Sequence, residues 1–529
     1  MTLRTHAFRK LTEIVGPERV LTDPEDLYVY SFETLYEEPK YSNFDAVVKA
    51  VSEDEIIRIA ELAAAEGFNV ICRGKNAGIY EPQDTKRSGT IILDTVPHPE
   101  ITAFDERLRE RSQHLREYRQ KLMDAMRKER SYKVLASVIA SLFRDKAILQ
   151  CGDCEVCTGY CTVSPTFTHA ETYSAKGRHL LTKGLMKGDL TPSKRLADTL
   201  YSCTLCGLCY AQCLPDLRLH DAILEARGRL AEEGLAPESA KAALRNITAY
   251  GNPMGAATEL RTRWMRKLPE NLLKNKADVL YWAGCNTTLR SGVRSTANAT
   301  VSVLDAAGVN VMALGEREGC CGFSLVVGGF FEEAKRNAER VVEAVDAAGV
   351  GVLVTSCSGC YETFVDLYPN KLGVELPCQV LHSSQLAERL EKDGELALSN
   401  VPMRVSYHDP CGLGRHCGVY ESPRKVLGAI PGLQLVEPDL SRERSRCCGG
   451  GGGFWGVNSS ASMSLAHLRL EQDIMPLNVE ALAVTCPMCY TNFLYTLKKH
   501  GVEMKVYDVM ELMEMALGGE NTKLNLGRN

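Results

Sequence analysis

The feature that most constrains this chain is a pattern of five cysteines that occurs twice. Each copy has a single cysteine, then a tandem Cys-Cys-Gly, then a CxxC. Gaps of 34 and 35 residues separate the three parts in the first copy, and gaps of 35 and 37 residues separate them in the second. The copies are Cys285, Cys320, Cys321, Cys357 and Cys360, and then Cys411, Cys447, Cys448, Cys486 and Cys489. Matched spacing of this kind predicts two related metal sites.

Ligand chemistry favours iron-sulfur at both sites. Thiolates are soft ligands that suit iron-sulfur clusters, zinc or Cu(I), and five of them exceed the four that a tetrahedral zinc accepts. Adjacent cysteines point their sulfurs to different sides, which suits bridging between irons. Gly322 and the run from Gly449 to Gly453 permit backbone conformations that other residues resist, so the chain can wrap a bulky inorganic core. Each five-cysteine set is therefore predicted to hold a polynuclear iron-sulfur cluster.

The segment from Asp409 to Leu427 carries the motif DPCxLGRxxGVYxxPRxxL beside the second set. Together with the repeated cysteines it resembles the cysteine-rich domain of heterodisulfide reductases and glycolate oxidase iron-sulfur subunits, over residues 145–515. The resemblance implies that each set holds a noncubane [4Fe-4S] cluster, that a disulfide is cleaved between the pair, and that all ten cysteines are catalytic as well as metal-binding. One departure is Gly412, where the family often has a histidine that can protonate a leaving thiolate.

Two further runs follow the spacing CxxCxxCxxxC that is typical of [4Fe-4S] ferredoxins. In two-cluster ferredoxins the fourth cysteine of each run binds the other cluster. The prediction is one cubane held by Cys151, Cys154, Cys157 and Cys213, and another held by Cys203, Cys206, Cys209 and Cys161. Two zinc sites are the alternative. The intervening residues have a helical pattern, so a helical ferredoxin domain is expected over 148–250, carrying electrons rather than binding substrate.

Short apolar strands alternate with helices around both five-cysteine sets. Each strand delivers cysteines at its carboxyl end, where parallel α/β layers gather their ligands. The expected fold class is therefore α/β, with duplicated cysteine-rich domains over 278–395 and 403–515. Such a duplication usually packs about a pseudo-twofold axis, which would place the two sets face to face across an active-site cleft. The predicted strands are Val279 to Trp282, Asn310 to Leu314, Gly351 to Thr355, Val405 to Tyr407, Leu433 to Val436, and Ala481 to Thr485.

Residues 1–102 are predicted to form a small α/β module, with strands at Ala46 to Val51, Asn69 to Cys72 and Thr90 to Asp94. The module resembles the first part of the flavin-binding domain of lactate and glycolate dehydrogenases. In that family a glycine-rich loop approaches the flavin pyrophosphate, whereas Arg73 to Tyr80 carries side chains here, and the rest of the domain is missing. FAD is therefore not expected on this chain, and a docking role is favoured.

Residues 103–147 are predicted to form a charged helical linker, because they are rich in Arg, Lys and Glu and contain no Gly or Pro. The linker is either a solvated helix face or a docking surface for an acidic electron-transfer partner.

Composition restricts the class of protein. A net charge of −5 and a pI near 6.2 give no indication of nucleic-acid binding. The 21 cysteines, without a signal peptide, favour metal ligation in a reducing cytoplasm over disulfides. No apolar run reaches the roughly 18 to 20 residues that cross a bilayer. The expected location is cytoplasmic, or peripheral at a membrane through a partner.

Two functional hypotheses follow, and both describe an iron-sulfur oxidoreductase within a complex. In the first, a heterodisulfide-reductase-like catalytic subunit passes electrons through two cubane clusters to paired noncubane [4Fe-4S] clusters, which cleave or form a small-molecule disulfide. The alternative is the electron-transfer subunit of a flavin-dependent lactate or glycolate dehydrogenase complex, which Gly412 and the N-terminal module favour. The redox partner would be a flavoprotein, a ferredoxin or a membrane cytochrome.

Residues beside the second set offer further candidates. His408 and His416 could supply a proton, although a structural hydrogen bond is the favoured interpretation for both. Arg415 could hold an anionic substrate or the negative charge of a cluster. Phe454 and Trp455 either wall the cleft or belong to the core.

Overall fold

The computed structural model describes residues 5–31, 44–73, 89–94, 157–167, 170–213, 217–269 and 272–518. Within them the chain forms two compact units. The first takes the described parts of Met1–Gly159, Phe167–Thr191 and Gln212–Leu219, and the second takes those of Tyr160–Thr166, Pro192–Ala211 and His220–Asn529. The predicted linker 103–147 and most of the segment from Arg73 to Tyr80 lie outside the described residues.

A four-stranded sheet forms the centre of the first unit. Its strands are β1 (Val20–Leu21), β2 (Ala46–Lys49), β3 (Asn69–Arg73) and β4 (Thr90–Asp94), in the order β1-β2-β4-β3. The three predicted strands, β2, β3 and β4, are parallel, and only β1 runs antiparallel. Helix Glu53–Glu66 connects β2 to β3; the Ser52 side chain caps its start, and Gly67, at φ 75°, ends it. The other N-terminal helices are Thr5–Val15 and Pro24–Tyr30.

The first unit also contains helix Ala175–Lys187, and hydrogen bonds hold the turn Glu171–Tyr173, just before this helix, against the N-terminal elements. Thr172 donates to the Asp26 carboxylate. The Tyr30 hydroxyl donates to Asp94 Oδ2 at 2.7 Å and accepts from the Glu171 backbone N–H at 3.2 Å. Because these groups are buried, each pairing offsets the cost of removing polar atoms from water.

The regular elements among the described residues of 157–250 are helices, in agreement with the helical pattern of the sequence there. The helices after Ala175–Lys187 are Lys194–Tyr201, Leu208–Ala211, Leu219–Glu232 and Glu238–Tyr250. Gly251 ends the last of them at φ 65°, at the break that the sequence indicated.

Two parallel four-stranded sheets organise the rest of the second unit. The first has the order β6-β5-β7-β8 and the second the order β10-β9-β11-β12. The strands of the first are β5 (Val279–Trp282), β6 (Val311–Met312), β7 (Val352–Thr355) and β8 (Gln379–His382). Those of the second are β9 (Met403–Tyr407), β10 (Leu433–Leu435), β11 (Ala481–Val484) and β12 (Lys505–Asp508).

The six predicted strands of this region are present, with ends that differ by up to two residues. The sequence analysis missed β8 and β12, one of the two edge strands of each sheet. Both are four residues long, and each runs directly into a helix. Neither strand leads into a cysteine motif, and such a motif is what marked the predicted strands of both repeats.

Helices cover these sheets, and some are shared between the two repeats. Ala299 and Val303, on a helix of the first repeat, pack in one core with Val405, Met513 and other residues of the second. The α-helices of at least eight residues are Ser295–Ala306, Phe331–Ala348, Ser383–Lys392, Glu421–Ala429, Ser459–Arg469, Pro487–His500 and Val509–Ala516. Shorter ones are Cys285–Leu289, Phe323–Val327, Ser358–Glu362 and Phe454–Val457, and wider π-helical turns span Thr363–Leu372, Gly412–His416 and Leu470–Ile474.

Among the residues that the structure describes, no helix combines the length and the apolar character that crossing a membrane requires.

Candidate metal centre

The first five-cysteine set converges at the carboxyl ends of β5 and β7. Cys285 begins a helix three residues after β5, and Cys357 and Cys360 follow β7 directly. Side-chain hydrogen bonds join Cys285 to Cys320, Cys321 to Cys360, and Cys360 to Cys357. All five thiols are buried. The backbone supports this approach at Gly284, whose φ is 78° and where an added Cβ would lie 3.2 Å from Cys360 Sγ.

The second set has the same arrangement at the ends of β9 and β11. Cys448 Sγ lies 3.1 Å from Cys489 Sγ. Further side-chain hydrogen bonds join Cys411 to Cys447 and Cys486 to Cys489. Four of the five thiols are buried, and Cys411 is half-buried. This set therefore has one ligand that reaches partly toward solvent.

The two sets meet at Cys357 and Cys486, whose thiols lie close enough for each to shift the pKa of the other. Residues on either side hold this junction. Ser358 Oγ donates to the Thr485 carbonyl at 2.6 Å, and His382 Nε2 lies 3.1 Å from the same oxygen. The ten predicted thiols thus form one continuous run of sulfur contacts, from Cys285 at one end to Cys411 at the other.

The donor set fits iron-sulfur clusters rather than disulfides. The ten cysteines are free in this structure. Hydrogen bonds to neighbouring thiols and burial raise the pKa values of Cys360, Cys411 and Cys489 well above the usual range. So many buried thiolates repel one another unless cations lie between them. Iron supplies that positive charge, and thiolates are its preferred ligands in clusters.

A buried ion pair supports the backbone just before Cys285. Arg261 Nη1 lies 3.3 Å from Glu318 Oε1, and both side chains are almost fully buried. The Glu318 carboxylate accepts from the backbone N–H groups of Ala283 and Gly284 at 3.0 and 2.9 Å. Arg261 Nη2 also donates to Cys285 Sγ at 3.3 Å. The guanidinium therefore places a positive charge beside the first set. By pairing with Glu318 it also holds the loop that contains Ala283 and Gly284.

The ferredoxin motif of the second unit lies against the second five-cysteine set. The thiol of Cys206 lies close enough to Cys447 for that thiol, together with burial, to raise the pKa of Cys206 well above its usual value. Arg415 donates to the Cys206 carbonyl at 2.6 Å and to the Ser445 carbonyl at 2.6 Å. Because Arg415 is held by backbone carbonyls beside thiols, the structure favours the interpretation that it balances cluster charge.

Arg227 fixes the same junction from the other side. Its guanidinium donates to the carbonyls of Leu200, Val327 and Gly452 at 3.0, 2.9 and 2.8 Å, and it lies over the Tyr201 ring. Gly452, at φ 59°, comes so close that an added Cβ would lie 2.4 Å from the Thr204 carbonyl.

The predicted ferredoxin ligands are brought together only in part. In the second unit, burial and the nearby Cys203, Cys206 and Cys161 raise the pKa of Cys209 well above its usual value. These four are the predicted ligands of one cubane. Of the other four, Cys157 and Cys213 belong to the first unit, and Cys151 and Cys154 lie outside the described residues.

A cleft opens beside Cys411. Its lining includes His220, Glu362, Asp366, Cys411, His416 and Gly452. Gly412 adjoins it, and an added Cβ there would lie 2.5 Å from Glu362 Oε2 and 3.1 Å from the Ser358 carbonyl. The Glu362 carboxylate thus occupies the space into which the family's histidine would extend. Phe454 is in the core, and Trp455 stacks with Tyr495, so neither is among the residues that line this cleft.

The candidate histidines differ in their surroundings. His416 Nε2 lies 3.1 Å from the Leu205 carbonyl, which agrees with a structural hydrogen bond. His408 is buried, and neither ring nitrogen has a hydrogen-bond partner among the residues described. Burial lowers the pKa of His408 to about 3. Among the described residues His408 therefore has no hydrogen bond of the kind that the structural interpretation expects.

Sequence reasoning missed Arg227, Arg261, Glu318 and Glu362. None belongs to a motif, and each acts through contacts with residues distant in sequence. A sequence signal exists for Glu318, two residues before the tandem cysteines of the first set, and for Glu362, two residues after its CxxC.

Comparisons with known proteins agree with this arrangement. Residues 279–365 and 405–494 each match a family described as "Cysteine-rich domain", and residues 147–216 match a "4Fe-4S dicluster domain". A subunit of the dihydromethanophenazine:CoB–CoM heterodisulfide reductase of Methanosarcina acetivorans is 33% identical over 326 residues, 61% of this chain and 78% of that protein. A subunit of the fumarate reductase (CoM/CoB) of Methanothermobacter marburgensis is 32% identical, over 60% of this chain and 62% of that protein. The EtfAB:quinone oxidoreductase of Syntrophomonas wolfei is 29% identical, over 61% of this chain and 47% of that protein.

Proposed function

The chain belongs to a family of iron-sulfur oxidoreductases that includes this heterodisulfide reductase subunit, and from this premise we propose that it exchanges electrons with a small-molecule disulfide between its two five-cysteine sets. The observation that carries the proposal is the contact between Cys357 and Cys486. It brings two separate thiolate sets together, as cleavage of one disulfide by two iron sites requires. The finer arrangement, a pseudo-twofold pair of domains over 278–395 and 403–515, is part of this proposal.

Four clusters are proposed. Each five-cysteine set holds a noncubane [4Fe-4S] cluster through all of its thiolates, and the ferredoxin domain, 148–250, holds two cubanes through the eight cysteines assigned above. The mutual proximity of Cys203, Cys206, Cys209 and Cys161 supports the second cubane. The cysteine ligands fit these four clusters. When bound, the clusters would accept one electron at a time and would offer iron atoms to which a substrate sulfur can bind.

The protein residues set the order of transfer. Since Cys206 contacts Cys447, we propose that electrons enter the second set before the first. Arg227 and Arg415 keep that junction fixed through backbone carbonyls. Reduction of a disulfide takes two electrons and two protons and yields two thiols. Cys411, which is half-buried beside the cleft, marks the side from which a substrate would approach.

The partners are proposed by class. Relatives named as parts of reductases imply a redox partner, here a flavoprotein, a ferredoxin or a membrane cytochrome. Residues 1–102 and 103–147 are the candidate docking segments, and a cytoplasmic location remains a prediction.

The experiment that tests the proposal uses protein purified without oxygen. Four four-iron clusters predict about 16 iron atoms per chain. Cys411→Ala and Cys447→Ala should abolish disulfide reduction while the EPR signals of the cubanes persist. Cys378→Ala is the matched control, because Cys378 is half-buried outside every cluster motif. Retained turnover in both cluster variants would refute the proposal.

The second candidate is an electron-transfer subunit for a flavin-dependent dehydrogenase complex. Gly412 and the likeness to an EtfAB:quinone oxidoreductase favour it. In that case the same iron content would be found, but disulfides would not oxidise the reduced protein. A flavoprotein partner would then be oxidised at a rate that the cluster variants abolish.

A further inference from the structure

One position recurs in both repeats, three residues before the first cysteine of each set. It is Trp282 in the first repeat and His408 in the second. Trp282 is the last residue of the central strand β5, and His408 directly follows the central strand β9. Each also packs edge-on against the aromatic residue four positions after the last cysteine: Trp282 against Phe364 at 5.3 Å, and His408 against Phe493 at 4.9 Å. The two side chains are therefore equivalent in sequence, in strand position and in packing.

Both side chains bury polar nitrogens without partners. Within the described part of the chain, neither Trp282 Nε1 nor the two ring nitrogens of His408 make a hydrogen bond. Both residues are almost fully buried. A buried polar group left unpaired costs about 1–3 kcal/mol. An unpaired buried nitrogen at the same place in both repeats calls for an explanation. One is that its hydrogen-bond acceptor belongs to a bound group.

The acceptor for His408 is indicated by distance. A ring nitrogen of His408 and the sulfurs of Cys448 and Cys489 all lie within 4.8 Å of one another. A cluster held by those two thiolates would have its sulfurs beside the imidazole. The ring faces the second set, whereas His382, which is also buried, uses both nitrogens on Ser384 and the Thr485 carbonyl.

We propose that His408 donates an N–H hydrogen bond to a sulfur of the cluster held by the second set, and that Trp282 does the same for the first. This inference rests on the proposed cluster occupancy. The tryptophan at the equivalent position favours a hydrogen bond to the cluster over direct ligation of iron. Its indole nitrogen carries an N–H and has no lone pair to offer to iron. An imidazole carries at least one N–H in either of its usual protonation states, so it can replace the indole as a donor.

The hydrogen bond has an expected electrochemical effect. Reduction adds negative charge to the cluster sulfurs, and hydrogen bonds to these sulfurs stabilise that charge and raise the reduction potential. Through these hydrogen bonds Trp282 and His408 would help to set the reduction potentials of the two clusters.

The direct test labels the histidines with ¹⁵N in the full chain. Protein purified without oxygen is reduced radiolytically in the frozen state, so that the clusters become paramagnetic, and the ¹⁵N couplings are measured by pulsed EPR. A weak coupling that disappears in His408→Phe and persists in His382→Gln is expected. A strong coupling would show iron ligation, and no coupling, or one that disappears only in His416→Gln, would refute the proposal.

A redox titration gives a second readout. In His408→Phe the ratio of reduced to oxidised cluster at the wild-type midpoint should fall about tenfold, which corresponds to about 59 mV for a one-electron couple. His408→Gln retains an N–H donor and should recover part of the shift. An unchanged midpoint in His408→Phe would overturn the proposal.

Iron content separates this inference from the proposed function. If iron and Mössbauer spectra show that the second set holds no cluster in the wild-type chain, the proposed function fails. If the cluster is present and the ¹⁵N coupling is absent, only the hydrogen bond fails.

Discussion

Replacing Arg261 by methionine should loosen the loop that presents Cys285. The substitution keeps most of the apolar length of the side chain and removes the charge that faces Glu318 at 3.3 Å. Breaking a buried ion pair by removing one partner costs about 3–5 kcal/mol, because the other charge stays buried and unpaired. Burial already raises the pKa of Glu318, and the guanidinium opposes that rise. Without Arg261 the carboxyl is expected to take up a proton and to hold Ala283 and Gly284 less well.

Hydrogen exchange measured by mass spectrometry without oxygen tests this expectation. A loss of about 3 kcal/mol or more in local opening free energy raises the exchange rate of peptides over 279–285 by at least about 100-fold. The matched control is Arg263→Met, two residues along the chain, where the side chain is exposed. The double variant with Glu318→Gln should recover part of the loss, because no unpaired charge remains. Equal exchange in Arg261→Met and Arg263→Met would refute the reasoning.

The remaining predictions concern three other sites. Gly412→Ala should cost about 1–3 kcal/mol through its contacts with Glu362 and Ser358, whereas Gly428→Ala, in open space within helix Glu421–Ala429, should gain up to about 1 kcal/mol; anaerobic thermal unfolding compares them. Arg227→Lys keeps the charge but removes the forked guanidinium that reaches the Val327 and Gly452 carbonyls. The free energy of unfolding, from the same measurement, should fall by at least about 2 kcal/mol. A loss below about 0.5 kcal/mol, the scale of neutral surface changes, would contradict this prediction. Burial lowers the pKa of His382 to about 4 from 6.5, so the unfolded chain binds the proton first as the pH falls. The contribution of His382 to the free energy of unfolding should therefore be fully present above pH 6.5 and fall by about 3 kcal/mol toward pH 4. His382→Gln should show that much less pH dependence in the exchange of peptides around Thr485, and an identical pH profile would contradict the assignment.

The sequence by itself determined the chemistry of this protein. Ten cysteines in two matched sets, and eight more at ferredoxin spacing, predict iron-sulfur clusters held by thiolates, because this spacing is typical of such sites. The central strands β5, β7, β9 and β11 were also predictable, since each is an apolar run that ends at a cysteine motif. Spacing along the chain is enough for such local patterns.

The tertiary structure decided what no local pattern contains. The contact between Cys357 and Cys486 joins residues more than one hundred positions apart, and that between Cys206 and Cys447 joins residues still further apart. Arg261 and Glu318 form a pair only because two loops meet under Cys285. A structural hydrogen bond was the favoured interpretation for His408 from sequence, whereas the packing leaves both ring nitrogens without a partner among the described residues and brings one of them near Cys448 and Cys489. Burial and long-range proximity set these roles, and both arise only when distant parts of the chain fold against one another.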